Sequence, residues 1–481
     1  MLHLKELTIS SGQSIRETLE VIGQNARGIC FVIDGKRLIG VATDGDIRRG
    51  LLSGRSIDQP INTVMRHNYI SLPIESDDNT IGRTFKDNLK LIPLCDSEGN
   101  IVDIADYLKG HRLPLAEPEL CGNELKYLEE CIKTNWISSQ GKYVRIFENM
   151  FEEMHPGTTA LAVSNGTVAL HLALVSLGIV EGDEVIVPDL TFAATANAVI
   201  YTGAKPIFCE VNLQTWCIDA EEAEKLVTKK TKAIIPVHLY GHPCNMESIT
   251  DFSLRHKLFI VEDCAESIGS RWNDQPVGIF GDAATFSFFG NKTISTGEGG
   301  MVLFRDRDVS ERAQVHRGHG MSPEKKYWHE TIGFNYRLSN LQAAVGVAQL
   351  ERLSVIVEKK RLIASFYAKH LKKVEGIVQK PKLDSKVFHS YWLNTIKLCS
   401  YLDRDELMRK LLLNGIDSRP VFYPLHLMPP YKNYRRSISL SVTENISQHG
   451  ISLPSSTQLN EDEIKYICEI IKKLQFCETT S

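Results

Sequence analysis

Ala284-Thr-Phe-Ser-Phe-Phe-Gly-Asn-Lys-Thr-Ile-Ser-Thr-Gly-Glu-Gly-Gly-Met301 is an apolar, strand-like run that gives way at Phe289 to a loop of Gly, Ser, Thr and Asn carrying one lysine, Lys292. Most lysines are solvated surface charges, because a buried ammonium is costly. The aromatic residues before Lys292 and the glycines at 297, 299 and 300 after it suit a protected position instead, where the backbone turns tightly beside a bound ligand. In such a site desolvation and nearby cations lower a lysine's pKa from about 10.4. A neutral amine can attack an aldehyde and hold it as a Schiff base. Lys292 is therefore read as a lysine that binds pyridoxal phosphate.

Outward from this loop, other stretches offer the remaining parts of such a site. Lys257-Leu-Phe-Ile-Val-Glu-Asp-Cys-Ala-Glu266 reads as a buried parallel strand ending in carboxylates. Ligands of open α/β sheets gather beyond the carboxyl ends of strands, which places Asp263 there. A carboxylate at that point can keep the pyridine nitrogen of the cofactor protonated; a solvated or capping aspartate is the plainer alternative. Ala160-Leu-Ala-Val-Ser-Asn-Gly-Thr-Val-Ala-Leu-His reads as strand, polar turn and helix, so Gly166 and Thr167 lie at a helix N-terminus able to attract a phosphate. Ser287 can add a hydroxyl. Phe192 can stack on a ring face, although packing in a core is the commoner fate of a phenylalanine.

Strands and helices alternate from Thr159 to about Phe304, predicting a mostly parallel sheet covered on both faces. A long helix running with interruptions is expected from Asn340 toward Leu371, and another helix opening at Phe147. Strand Tyr391–Leu398 and helices at Arg404–Asn414 and Glu461–Leu474 predict a smaller C-terminal domain. With 481 residues, two or three domains are expected. The boundaries read as 1–112 for an N-terminal module, 113–120 for a linker punctuated by Pro114, Glu117 and Pro118, 121–365 for the large domain and 366–481 for the small one.

Hydrophobic content of 43%, charged content of 24% and a net charge of -4 describe a globular protein without the basic stripe that nucleic-acid binding needs. Eleven cysteines without a CxxC pair or zinc spacing suit free thiols in a reducing compartment and predict no metal site. No stretch reaches the length of a membrane span, and a cytoplasmic location is expected.

The N-terminal module has internal repetition. A Ser14-capped helix, strand Gly28–Ile33, a turn at Asp34-Gly35, strand Leu38–Ala42 and Thr43-Asp-Gly-Asp-Ile before another helix are partly echoed by Ile92-Pro-Leu-Cys-Asp-Ser-Glu-Gly-Asn-Ile-Val-Asp-Ile-Ala-Asp-Tyr107. The repeat resembles a pair of CBS motifs, and the resemblance implies an adenine nucleotide as ligand, with Thr43 and Asp46 contacting its ribose. The second copy departs from the pattern: Asp103 stands where glycine is usual, and no hydroxyl residue precedes Asp106 at the right offset. A CBS-like fold kept only for packing or assembly is the alternative.

From about Leu115 onward the chain resembles the DegT/DnrJ/EryC1/StrS sugar aminotransferases. The resemblance rests on Ser164-Asn-Gly-Thr167, Val261-Glu-Asp-Cys-Ala-Glu266, Phe286-Ser-Phe-Phe-Gly-Asn-Lys292 and Thr296-Gly-Glu-Gly-Gly-Met301, and Ile332-Gly-Phe-Asn-Tyr-Arg-Leu-Ser-Asn340 and Val421-Phe-Tyr-Pro-Leu-His-Leu-Met-Pro-Pro-Tyr431 narrow it to members acting on 4-keto-6-deoxy sugars. It implies an α/β fold-type I pyridoxal-phosphate enzyme assembled as a homodimer or a higher homo-oligomer. Lys292 would be the cofactor lysine, Asp263 the pyridinium partner, Phe192 the stacking ring, and Gly166, Thr167 and Ser287 the phosphate contacts. Glu266 would lie near the cofactor's ring oxygen, where much of the family has Gln or His. Either Asn335 or Arg337 would reach the cofactor phosphate of a neighbouring subunit. Trp136, Ser138, His319, Tyr327, His329 and His426 are candidates for a sugar pocket, each equally open to a structural role.

The activity implied is amination of a nucleotide-linked 4-keto-6-deoxy sugar with glutamate as amino donor, serving surface polysaccharide synthesis. GDP-4-keto-6-deoxymannose is the expected substrate and a UDP-linked sugar the alternative. Related dehydratases lack the lysine, so Lys292 argues against a sugar dehydration. A non-catalytic nucleotide sensor would not need these motifs.

Overall fold

The structure, a computed structural model, describes residues 4–25, 27–76, 80–81, 84–85, 89, 91–106, 113–372, 374–379, 381, 383–434 and 439–476. The chain divides into two compact units between Leu113 and Pro114.

The first unit contains two small sheets of like topology. Thr8–Ser10 pairs parallel with Ile29–Asp34, which pairs antiparallel with Arg37–Thr43; Leu72–Pro73, Leu91–Cys95 and Ile101–Asp106 repeat that arrangement. The two hairpins are bonded to each other, Leu38 N–H to Gly99 O at 3.1 Å and Ile101 N–H to Lys36 O at 3.0 Å. The helix expected after the second hairpin falls at 107–112, outside the described residues. Ser14 caps Ile15–Asn25 as expected: its amide donates to Glu17 Oε2 at 2.7 Å, and its Oγ accepts from the Glu17 amide at 3.2 Å.

The second unit is built on a seven-stranded sheet of β1 (Thr159–Val163), β2 (Glu184–Pro188), β3 (Lys205–Cys209), β4 (Thr231–Ile234), β5 (Phe259–Asp263), β6 (Ala283–Ser287) and β7 (Gly300–Phe304), in the order β1-β7-β6-β5-β4-β2-β3. All neighbours are parallel except β7, which is antiparallel to both β1 and β6. Strand alternation sorts the side chains. Val163, Val261, Ala283 and Val302 enter one core beneath helix α1 (Gly166–Ser176), while Ala162, Ala284, Phe286 and Met301 enter another on the opposite face. In the second core Phe286 and Phe288 meet Phe151 and Phe147 of helix Lys142–Met154, at centroid separations of 5.2 and 5.1 Å. The two phenylalanines bury themselves and leave Ser287, between them in sequence, facing away at the strand end.

Three expectations are corrected. The helix through Phe147 begins at Lys142, because Gly141 is its N-cap. The long helix is interrupted once, as expected, into Asn340–Leu350 and Leu353–Leu371, but its second piece runs across the expected 365/366 boundary. The 113–120 segment is not a free linker from Leu115 onward. Leu115 is buried and its carbonyl accepts from Ser455 N–H at 2.7 Å, while Glu119 receives Arg352 at 2.7 Å, Lys359 at 2.8 Å and Thr457 at 2.5 Å.

The C-terminal part forms a four-stranded sheet in the order Ile377–Gln379, Asn394–Leu398, Gly450–Leu453, Arg419–Pro420. Its second strand starts at Asn394 rather than Tyr391, whose φ of +52° breaks the extended run. Among the described residues no helix is long and apolar enough to cross a membrane, and the ten cysteines are free thiols.

Candidate active site

The ends of β5 and β6 set the site. Asp263 pairs in register with Thr285, so the last residue of β5 lies beside the approach to Ser287 and the Lys292 loop. Asp263 is 5% exposed, and it accepts from Thr195 Oγ1 at 2.8 Å and from the Ala265 amide at 3.1 Å. Burial raises its pKa above the ordinary carboxylate value, opposed by these two bonds and by the charges of Lys292 and His238.

Lys292 is 13% exposed, with Nζ 3.7 Å from Glu266 Oε1 and 4.0 Å from the ring centre of Trp392. Burial lowers its pKa, against the opposing pull of Glu266 and Asp263. Burial likewise pushes Glu266 up to about 7, with Lys292 and a 2.8 Å bond from the Tyr240 amide acting in the other direction. The two shifts bring the amine and the carboxyl closer in proton affinity than in water, which suits an amine that must alternate between nucleophile and base.

A second group of candidates meets the end of β1. The Asn165 side chain caps α1 through the Val168 amide at 3.0 Å, leaving the Gly166 and Thr167 amides at the open end of the helix, where no intrahelical acceptor exists. A Cβ at Gly166 would lie 2.8 Å from Ser287 Cβ, so glycine is what lets the helix end approach β6. Gly300 has a related role: a Cβ there would be 2.6 Å from Asn165 O. That glycine serves strand-to-helix packing rather than a turn beside a ligand. Phe192, 59% exposed, stands at the N-cap of helix Ala193–Tyr201 with its ring 5.9 Å from that of Phe422.

His319, His329, Asn335 and Arg337 form a separate cluster. Arg337 donates to Asn335 Oδ1 at 3.2 Å and lies 3.1 Å from His319 Nε2, and His329 Nδ1 is 2.9 Å from His319 O. An isolated bridge between Val163 and Arg337 brings this cluster to the strand that leads into α1. Tyr327 is solvent-exposed. Trp136 and Ser138 belong to a loop pinned by Asn340, whose Nδ2 donates to Trp136 O at 2.6 Å and whose amide donates to Ser138 O at 3.1 Å.

One expected role does not fit its surroundings, and one expected contact site is occupied by groups of its own chain. His426 is buried, with Nδ1 2.6 Å from Asp189 Oδ2 and Nε2 3.1 Å from Glu444 Oε1, so both ring nitrogens face carboxylates and not a pocket. It fastens the loop that follows β2, which carries Phe192. Thr43 and Asp46 form a capping box, and Asp46 also binds Arg49 and Arg66, both at 2.5 Å. With the Thr43 amide and hydroxyl on Oδ2, the accepting sites of that carboxylate are filled.

Several residues of the site escape a reading by motif. Thr195 lies four residues after Thr191, which precedes the helix, and the two hydroxyls are 3.1 Å apart, a spacing visible in Thr191-Phe-Ala-Ala-Thr195. Tyr240 and Trp392 carry no local signal. His238, Glu262 and Cys264 place ligand-type atoms within 4.8 Å of one another. His238 Nε2 lies 3.1 Å from Glu262 Oε2, His238 Nδ1 accepts from the Cys244 amide, and Glu262 also accepts from the Gly278, Phe280 and Gly281 amides.

The model of the DegT/DnrJ/EryC1/StrS aminotransferase family matches residues 118–472. The chain belongs to that family. As a DegT/DnrJ/EryC1/StrS aminotransferase it is a pyridoxal-phosphate-dependent sugar aminotransferase, and a CBS domain model matches residues 3–53. It is similar to the GDP-perosamine synthases of Escherichia coli O157:H7, 47% identical over 75% of this chain and 98% of the relative, and of Vibrio cholerae, 44% identical over 76% and 100%. Among solved structures, DesV of S. venezuelae matches with a TM-score of 0.70 and 32% identity, over 74% of this chain and 94% of that one. The family match begins at residue 118, beyond the end of the first unit at Leu113.

The buried amine, the buried carboxylate and the open helix end provide what pyridoxal phosphate needs, namely a nucleophile for its aldehyde, an anion for its ring nitrogen and N–H donors for its phosphate.

Proposed function

We propose that this enzyme moves an amino group from glutamate to C4 of GDP-4-keto-6-deoxymannose, giving GDP-perosamine for a surface polysaccharide such as an O-antigen. The observation that carries the reading is the Lys292–Glu266–Asp263 group, in a chain that covers almost the whole length of GDP-perosamine synthases.

When bound, pyridoxal phosphate supplies an aldehyde that captures amines and a ring that draws electrons from the substrate carbon. Lys292 is the amine that holds it. Asp263, fixed by Thr195 and the Ala265 amide, would keep the ring nitrogen's proton in place. The Gly166 and Thr167 amides and the Ser287 hydroxyl would hold the cofactor's phosphate, and Phe192 would offer its ring for stacking. Once free, Lys292 Nζ would take the proton from the donor carbon, since burial favours its neutral, proton-accepting form and Glu266 lies beside it to exchange the proton.

His319, His329 and Tyr327 are assigned to sugar recognition. Either Asn335 or Arg337 reaches the partner's phosphate in a homodimer, an assembly supported by the exposed apolar side chains of Tyr327, Trp328 and Ile332. In the CBS unit an adenine nucleotide is proposed to displace Arg49 or Arg66 from Asp46, so that ribose hydroxyls replace the arginine on the carboxylate and the released guanidinium meets phosphate.

A panel of nucleotide-linked keto-deoxy sugars offered with glutamate, with products read by mass, tests the substrate. The GDP sugar should be preferred. A UDP sugar favoured by roughly a hundredfold in kcat/KM, about 2.7 kcal/mol of transition-state binding, would reverse the assignment. Borohydride reduction should fix the cofactor to Lys292, and attachment at another lysine would refute the site.

A further inference from the structure

We infer that Trp392 is a positioning residue that holds the amine of Lys292 beside Glu266 whenever that amine is free of the cofactor. The inference rests on the reading of Lys292 as the cofactor lysine.

The indole is fixed from three sides. Its Nε1–H donates to Asn291 O at 2.7 Å, which ties the ring to the residue preceding the lysine. The Trp392 carbonyl accepts from the buried ammonium of Lys360 at 3.1 Å, and Lys360 is anchored in turn to Ser455 O at 3.0 Å. The ring itself stacks on Tyr240 at an interplanar angle of 13° and a centroid separation of 5.9 Å. Tyr240, held at a φ of +54°, gives its amide hydrogen to Glu266 Oε2 at 2.8 Å. One stacked aromatic pair thus grips both ends of the 3.7 Å Lys292–Glu266 contact, Trp392 at the amine and Tyr240 at the carboxylate.

A freed lysine has four side-chain torsions to explore and must return to one place. A π face attracts an ammonium and excludes water on that side, which favours the conformation with Nζ next to Glu266 over the many in which it wanders. An aliphatic group of similar bulk would exclude water equally while offering no attraction to the charge.

The proton affinity of Lys292 in the cofactor-free full-length protein reads this contact directly. Competitive acetylation across pH, quantified at Lys292 by mass spectrometry, would compare wild type, Trp392→Phe and Trp392→Leu. Loss of the ring in Trp392→Leu should lower the proton affinity of Lys292 by roughly 2- to 30-fold, equivalent to about 0.5 to 2 kcal/mol at 1.36 kcal/mol per tenfold. Trp392→Phe, which keeps a π face, should stay closer to wild type than to the leucine variant. In the holoenzyme Trp392→Leu should lower kcat more than it raises the KM for the donor. If Trp392→Leu does not fold, Trp392→Met makes the same comparison. Titration curves that superimpose for wild type, Phe and the aliphatic variant would overturn the inference and leave the assignment of Lys292 intact. Borohydride attachment elsewhere would remove that assignment and leave the ring contact standing.

Discussion

Lys292, Glu266 and Asp263 bury three ionisable groups together, and the balance among them sets how the site responds to pH. Glu266 titrates at about 7 in the folded protein against an ordinary value of 4.5. The folded state therefore keeps a proton that the unfolded chain has released, so this group's contribution to stability is full below pH 4.5 and is lost as the pH rises through about 7. Glu266→Gln retains an acceptor for the Tyr240 amide and nothing to titrate. In the cofactor-free protein its unfolding free energy, relative to wild type, should rise by roughly 1–3 kcal/mol between those limits. Denaturant titrations at pH 4, 5.5 and 8 check it, and parallel pH profiles would contradict it. For Asp263→Asn, a neutral amide in place of the anion should reduce turnover on the order of a hundredfold or more and loosen cofactor retention, measured by steady-state kinetics and cofactor absorbance. Lys292 and Asp263 were legible because a lysine in a polar loop after an apolar strand, and an acid at a strand's end, are local patterns. Trp392 was not, since it meets Asn291 across 101 positions of chain and only the assembled fold brings them together.

At the level of elements, caps and strand alternation were readable and docking was not. The Ser14–Glu17 capping box and the alternation of Phe286, Ser287 and Phe288 follow from spacing. Nothing in Leu115-Ala-Glu-Pro-Glu119 announces that it packs on Ser455 and the helix Leu353–Leu371, because its partners are hundreds of positions away. Burial alone would raise the Glu119 carboxyl, yet the bonds from Lys359, Thr457 and Arg352 outweigh it and hold the group at about 2. Its stabilising contribution is thus present above the ordinary value of 4.5 and lost as pH falls toward 2. Glu119→Gln should cost about 1.5–3 kcal/mol at pH 7, the scale of hydrogen bonds to a charged group, and the cost should shrink in acid. Denaturant midpoints at pH 7 and pH 3 measure both; an unchanged midpoint at pH 7 would show that the network contributes nothing net.

Across the whole molecule, the two units have separate cores and every residue assigned to the cofactor lies in the second. A chain beginning at Pro114 should therefore bind pyridoxal phosphate and transfer amino groups, whereas one beginning at Leu120 would lose the Leu115 and Glu119 contacts and be less stable. We propose that the first unit serves regulation by a ligand, assembly or tethering. Its chemistry favours a ligand with both hydroxyls and phosphate. Asp46 is already saturated by Thr43, Arg49 and Arg66, so a ribose can reach it only if an arginine leaves, and an exposed guanidinium leaves most readily for a phosphate. Binding should accordingly be weak for adenosine, stronger for AMP, ADP or ATP, and reduced by added salt. Calorimetry on the full chain should show heat with the nucleotides, none on the chain from Pro114, and a smaller heat in Arg66→Ala. If the ligand couples to catalysis, donor or sugar affinity should change by roughly 5- to 150-fold, the usual span of 1 to 3 kcal/mol between linked sites. Absence of heat with every nucleotide, together with identical kinetics for the full and shortened chains, would leave the first unit a scaffold, its capping box and arginine pairs serving only to hold its own helix in place.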